Sequence, residues 1–137
     1  MDERKLLEMA EKARGFSYSP YSGYSVGAAL LAKSGKVYTG CNVENAAFTP
    51  GNCAERTAVF KAVSEGEREF EAIAIAGGKT GSDPKDACPP CGVCRQVLNE
   101  FVDAASFKVI IRSSSGDFEV HTLAELLPFA FGPKNLK

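Results

Sequence analysis

The sequence predicts a single layered α/β domain, and three observations carry that prediction. Short apolar runs of strand character alternate with helical patterns from one end of the chain to the other. At 137 residues, 45% of them hydrophobic, the chain is long enough to bury one core. No repeat, linker or low-complexity segment divides it.

The elements follow in order. Residues 3 to 14 read as a helix because Leu6, Leu7, Ala10 and Ala13 recur at helical spacing. GFSYSPYSGYS, 15 to 25, is a loop of Ser, Gly and Tyr. VGAALLA, 26 to 32, reads as a buried strand, KSGK as a turn, and VYTGCNV, 37 to 43, as its hairpin partner. A helix is expected from Cys53 to about Ser64, with Ala58, Val59, Ala62 and Val63 inward and Gly66 ending it. FEAIAIAGG, 70 to 78, is a third strand, and the stretch after it to Pro90 is a loop. A second helix starts near Cys91 and carries Val97, Leu98 and Phe101. FKVIIR and DFEVH read as strands around a Ser-Ser-Ser-Gly turn, and TLAE at 122 to 125 fits a capping box opening a short last helix.

Charge and cysteine usage narrow the function. Sixteen basic residues against seventeen acidic ones leave a net charge of −1, with no Lys/Arg cluster to grip a nucleic acid backbone. The opening MDERKLLEMAEKARG lacks the apolar centre of a signal peptide, and no run of about 18 apolar residues occurs. The expectation is a cytoplasmic protein without membrane or nucleic acid partners. In that compartment five cysteines point to metal or catalysis rather than disulfides, and their odd number would leave one unpaired.

CGVC at 91 to 94 is a Cys-x2-Cys pair at a helix start, and Cys53 also opens a helix. Two helix N-termini facing one ion favour thiolates. Zinc takes four protein ligands in structural sites and three in catalytic ones. Three thiolates around Zn²⁺ leave a net −1, which Arg56, one turn into the first helix, is placed to offset. Glu55, two residues after Cys53, sits close to such a site without being a ligand. A carboxylate there can move a proton, or it can serve the helix dipole as first-turn acids often do. Cys88 leaves two other arrangements open: a closed site of Cys53, Cys88, Cys91 and Cys94, or an iron–sulfur cluster. The cluster motif wants a fourth cysteine after three intervening residues and then a proline, where Arg95, Gln96 and Val97 lead to Leu98 instead. Cys41 reads as a small buried residue in a strand. His121, the single histidine, stands far from every other candidate and reads as structural.

CAERTA at 53 to 58, PCGVCRQ at 90 to 96 and NVENAA at 42 to 47 together resemble the small cytidine deaminases of the zinc-dependent nucleoside deaminase superfamily. The resemblance runs from SPYSGYSVGAALL to ELLPFAFGP, nearly the whole chain. It implies one domain over residues 1 to 137, built as a three-layer α/β/α sandwich around a mixed five-stranded sheet. The implied activity is hydrolytic deamination of cytidine and deoxycytidine in pyrimidine salvage, yielding uridine or deoxyuridine and ammonia. One zinc ion per chain would be held by Cys53, Cys91 and Cys94, with Glu55 moving protons and Ala54 offering backbone groups to the base. Asn42 and Glu44 match residues that hydrogen-bond the ribose, within the substrate stretch that also holds Val43, Asn45, Ala46 and Ala47. Tyr24, Phe48 and Phe131 match positions around the pyrimidine, Phe131 reaching a neighbouring subunit's site in a homotetramer.

The chain departs from the family pattern at three places. Tyr24 stands where relatives usually have Phe, Pro89 replaces a Ser before the PC pair, and the 79 to 90 loop is longer and carries Cys88. These bear on substrate range rather than reaction type. A relative acting on blasticidin S shares the metal motif but lacks a clear NVEN. Nucleic acid editing members of the superfamily commonly carry His in place of Cys53.

Overall fold

The computed structural model describes residues 1–113 and 115–137. Among the described residues nine regular elements follow one another: α1 (Glu3–Ala13), β1 (Tyr24–Ala32), β2 (Val37–Cys41), α2 (Ala54–Ser64), β3 (Phe70–Lys79), α3 (Gly92–Phe101), β4 (Lys108–Arg112), β5 (Phe118–Thr122) and α4 (Leu123–Leu126). Short 3₁₀ turns at Arg14–Phe16 and Pro133–Asn135 complete the chain. Neither was expected from periodicity, because three residues carry no period. Ser114, inside the expected Ser-Ser-Ser-Gly turn, lies outside the described residues.

The strands form one mixed sheet in the order β2-β1-β3-β4-β5. β1 pairs antiparallel with β2 and β3, β3 pairs parallel with β4, and β4 pairs antiparallel with β5. Alternation along the strands divides the core in two. Ala29, Leu31, Ala72, Ala74, Ala76 and Ile110 face Leu6, Leu7 and Ala10 of α1. Ala28, Leu30, Ile73, Ile75, Val109 and Ile111 face Ala58, Val59 and Ala62 of α2 and Leu98 of α3. The result is the expected three-layer α/β/α sandwich.

Local chemistry sets the helix ends. The Asp2 carboxylate accepts from the Lys5 N–H at 2.8 Å and opens α1. Gly66, at φ +98°, follows the end of α2. Thr122 and Glu125 make the expected capping box of α4. β5 is shifted by one residue from expectation, because Thr122 ends the strand and caps the helix at once. β2 stops at Cys41, and Val43 instead exchanges backbone hydrogen bonds with Asn52 at 3.0 and 2.9 Å. That cross-link carries the chain from the hairpin to the start of α2.

After α4 the tail is held by α3. The Gln96 and Asn99 side-chain amides both donate to the Phe131 carbonyl, at 2.8 and 3.1 Å. The Arg95 guanidinium donates to the carbonyls of Pro90 and Leu126 at 2.7 and 2.6 Å. Phe129 sits at φ +54°, a left-handed conformation that costs a bulky residue about 1–2 kcal/mol. Among the described residues, no helix is long and apolar enough to cross a membrane.

Candidate active site

Two helix starts converge. Cys53 is the N-cap of α2 and Cys91 the N-cap of α3. Neither side chain makes the capping bond that Ser, Thr, Asp or Asn would make there, so both sulfurs are free for another partner. Cys94, one turn into α3, is fully buried. Cys91 and Cys94 Sγ stand 3.5 Å apart, Cys53 and Cys91 Sγ 4.0 Å, and all three sulfurs lie within 4.8 Å of one another. Cys88 stands outside this group. Cys41 is half-buried in β2. His121 lies on β5, with its ring Nε2 2.9 Å from a Glu119 carboxylate oxygen, as expected of a histidine with no part in the site.

Three sulfurs this close can all carry charge only around a shared cation. Cys53 is drawn down to about 5, first by its hydrogen bond with the Cys94 thiol and then by Arg56. Cys94 is pushed up by the same bond and by burial. Arg56 Nη2 donates to Cys53 Sγ at 3.3 Å, and its Nε is buried with no partner. Glu55 is only 5% exposed at the first turn of α2, where burial pushes its carboxyl up to about 7.

Above this group opens a cavity of about 670 Å³, in the range of small-molecule sites. Cys53, Ala54, Glu55, Arg56 and Cys91 form one part of its lining, and Asn42, Val43, Glu44, Asn45, Ala46 and Phe48 another. Most of the residues expected around a substrate are thus brought to one cavity. Ala47, Tyr24 and Phe131 are not among its lining residues in a single chain. Phe48 is fully exposed at 101% and Phe131 is 58% exposed.

Asn42 and Glu44 are already fixed in place. Asn42 Oδ1 accepts from the Val26 N–H and its Nδ2 donates to the Tyr24 carbonyl, both at 2.9 Å. Glu44 Oε1 accepts from the Tyr21 and Ser22 N–H groups at 3.0 and 3.1 Å, and Oε2 accepts from the Ser22 hydroxyl. An amide carries a second N–H, and a carboxylate has about four acceptor positions. Glu44 therefore keeps one acceptor position, and Asn42 one N–H and one lone pair, for a ligand hydroxyl while the other bonds hold each side chain rigid.

Sequence reasoning missed Tyr21, Ser22, Val26, Gly51 and Asn52 as lining residues. Val26 had a signal. It shares strand parity with Ala28 and Leu30, which face α2 and α3. Asn52 had none, because its place depends on the backbone pairing with Val43.

A family model described as the cytidine and deoxycytidylate deaminase zinc-binding region matches residues 1–110. The chain is 48% identical to a cytidine deaminase of Sporosarcina psychrophila over 136 residues, spanning 99% of this chain and 96% of that protein. A cytidine deaminase of Halalkalibacterium halodurans is 47% identical, over 99% of this chain and 98% of its own. Among solved structures, the cytidine deaminase of Burkholderia pseudomallei superposes with a TM-score of 0.85 at 45% identity, covering 96% of this chain and all of that one. That of Mycobacterium tuberculosis gives 0.80 at 37% identity, covering 96% and 98%.

Proposed function

The chain belongs to the family of cytidine and deoxycytidylate deaminases, and from that premise we propose how its own residues act in a zinc-dependent hydrolase. The reaction takes cytidine and water to uridine and ammonia, and we extend it to deoxycytidine. What supports the reading above all is one juxtaposition: three sulfurs at two helix starts with a buried carboxylate beside them, under a single cavity.

The donor set suits zinc. Sulfurs about 2.3 Å from a tetrahedral ion stand about 3.8 Å apart, and the spacings here include 3.5 and 4.0 Å. Cys53, Cys91 and Cys94 would hold one ion per chain. When bound, zinc supplies Lewis acidity that lets water react as a nucleophile near neutral pH. Arg56, on Cys53 Sγ, offsets the excess negative charge of three thiolates.

Glu55 takes a proton from water on its carboxylate and gives it to N3 of the pyrimidine as the hydroxyl adds to C4, then carries the proton of that hydroxyl to the amine, which leaves as ammonia while the C4 carbonyl forms. Its burial keeps that exchange away from bulk water. Ala54 offers backbone groups to the base from a buried position between ligand and acid. Asn42 and Glu44 hold the sugar through their remaining hydrogen-bonding positions. Phe48 stands at the rim of the cavity.

All 137 residues act as one domain. We assign the protein to the cytoplasm and to a homotetramer in which Phe131 reaches a neighbour's cavity. An absorbance assay with cytidine, deoxycytidine, cytosine, CMP and blasticidin S, run beside a zinc determination, tests the reading. Turnover of the two nucleosides with one zinc per chain is expected. Preference for free cytosine would remove the sugar-binding role of Asn42 and Glu44, and turnover of blasticidin S alone would overturn the substrate class.

A further inference from the structure

The chain between β3 and α3 is not a free loop. It doubles back along the end of β3, where Asp86 forms an antiparallel bridge with Gly77. Two consecutive glycines make room for it. A Cβ on Gly77 would come within 2.9 Å of Cys88 Sγ and 3.1 Å of Tyr24 Cε2. A Cβ on Gly78 would come within 2.9 Å of the Asp83 carbonyl oxygen and 3.2 Å of Pro84 Cα. The strap therefore lies against bare backbone.

Side chains from distant elements pin it. The Arg14 guanidinium donates to the Ser82, Gly78 and Lys79 carbonyls, each at 3.1 Å, and to the Ser25 carbonyl at 2.9 Å. The Tyr24 hydroxyl donates to Asp86 Oδ2 at 2.9 Å. Burial and that bond hold the Tyr24 hydroxyl well above the ordinary phenol range, so it stays a donor. Two residues past Asp86, Cys88 packs against the core and lines the cavity with Pro89. Pro89 and Pro90 have fixed φ, and Arg95 holds the Pro90 carbonyl at the far end. Little freedom remains between Asp86 and Cys91, so whatever fixes Asp86 also fixes the wall.

We propose that Tyr24 and Asp86 are a positioning pair, whose hydrogen bond ties the strap to the sheet and sets where Cys88 and Pro89 stand against the pyrimidine. The Tyr24 hydroxyl is spent on Asp86 and does not reach the substrate. The pair governs fit, leaving the proton transfers of Glu55 unchanged. This rests on the reading of the cavity as a cytidine site.

The test uses the full-length, zinc-loaded enzyme and four variants: Tyr24→Phe, Asp86→Ala, Asp86→Asn, and Tyr24→Phe combined with Asp86→Ala. A single partly exposed hydrogen bond changes an equilibrium by about three- to tenfold. Tyr24→Phe and Asp86→Ala should each raise KM for cytidine by about that factor, with kcat within about twofold. The double variant should be no worse than either single one, since both remove the same contact. Asp86→Asn keeps an acceptor for the hydroxyl and should restore most of the loss. Hydrogen exchange read by mass spectrometry should show amides 80–88 exchanging faster in Tyr24→Phe and Asp86→Ala and close to wild type in Asp86→Asn. Additive KM effects, or a loss in Tyr24→Phe with none in Asp86→Ala, would overturn the pair and make Tyr24 a direct base contact. Unchanged exchange in Asp86→Ala would overturn the strap. A wild-type protein that binds zinc without turning over cytidine would defeat the functional reading alone, and the exchange data would still decide the strap.

Discussion

Glu55 has no salt-bridge partner among the described residues, although Arg56 is its neighbour, because that guanidinium is turned to Cys53. A carboxylate so buried is costly to charge, and folding gains nothing obvious from it. Replacing it by Gln keeps shape and removes the ability to carry a proton. Glu55→Gln should retain one zinc per chain and lose about 10²–10⁴-fold in kcat. Its Tm should equal or exceed that of the wild type, since sites of this kind are held at some cost to stability. Steady-state kinetics, metal analysis and a melting curve on one preparation check all three. A variant with undiminished kcat would remove Glu55 from the chemistry.

At the level of elements, the placement of α2 depends on a glycine. A Cβ on Gly40 of β2 would lie 2.5 Å from both the Ala54 carbonyl oxygen and the Ala58 nitrogen, within the helix backbone itself. Gly40→Ala must push α2 away from the sheet, and overpacking of this kind costs about 1–3 kcal/mol. Because Cys53 and Glu55 ride on that helix, zinc affinity and kcat should fall together with Tm. Equal metal affinity in the variant, measured by competition with a chromogenic chelator, would show that the cysteines do not depend on this contact. Elements of this sort were legible where their signals are local. Ala58, Val59 and Ala62 announced α2, the apolar run VGAALLA announced β1, and Thr122 with Glu125 announced α4. The two cysteine motifs showed which helices would meet. The strap over Gly77 and Gly78 was read only as a loop, because its shape comes from Arg14 and Tyr24, more than fifty residues away along the chain. The grip of α3 on the tail was hidden for the same reason. Polar side chains meeting distant carbonyls leave no periodic trace.

On the scale of the whole molecule, Phe129 is 107% exposed and Phe131 58% exposed, on a tail that α3 holds in a defined course. Ordered aromatic side chains turned to solvent are costly unless another surface covers them. Truncation before Phe129 should raise KM for cytidine sharply, leave zinc bound, and lower the oligomeric state seen by light scattering. A truncated monomer as active as the intact enzyme would refute the shared site. A separate consequence follows from the way the three sulfurs are divided along the chain. Cys91 and Cys94 are near neighbours in sequence, whereas Cys53 lies 38 residues from Cys91 and joins them only once the sheet has brought α2 and α3 together. An unfolded chain keeps the local pair but not the third ligand, so zinc binds the native state more tightly than the denatured one. Mass action then makes folding a function of free metal, worth about 1.4 kcal/mol for each tenfold rise in zinc above the native dissociation constant. The melting temperature should accordingly rise with the logarithm of buffered free zinc and fall on dialysis against a chelator, so that the zinc supply decides how much of this protein is folded.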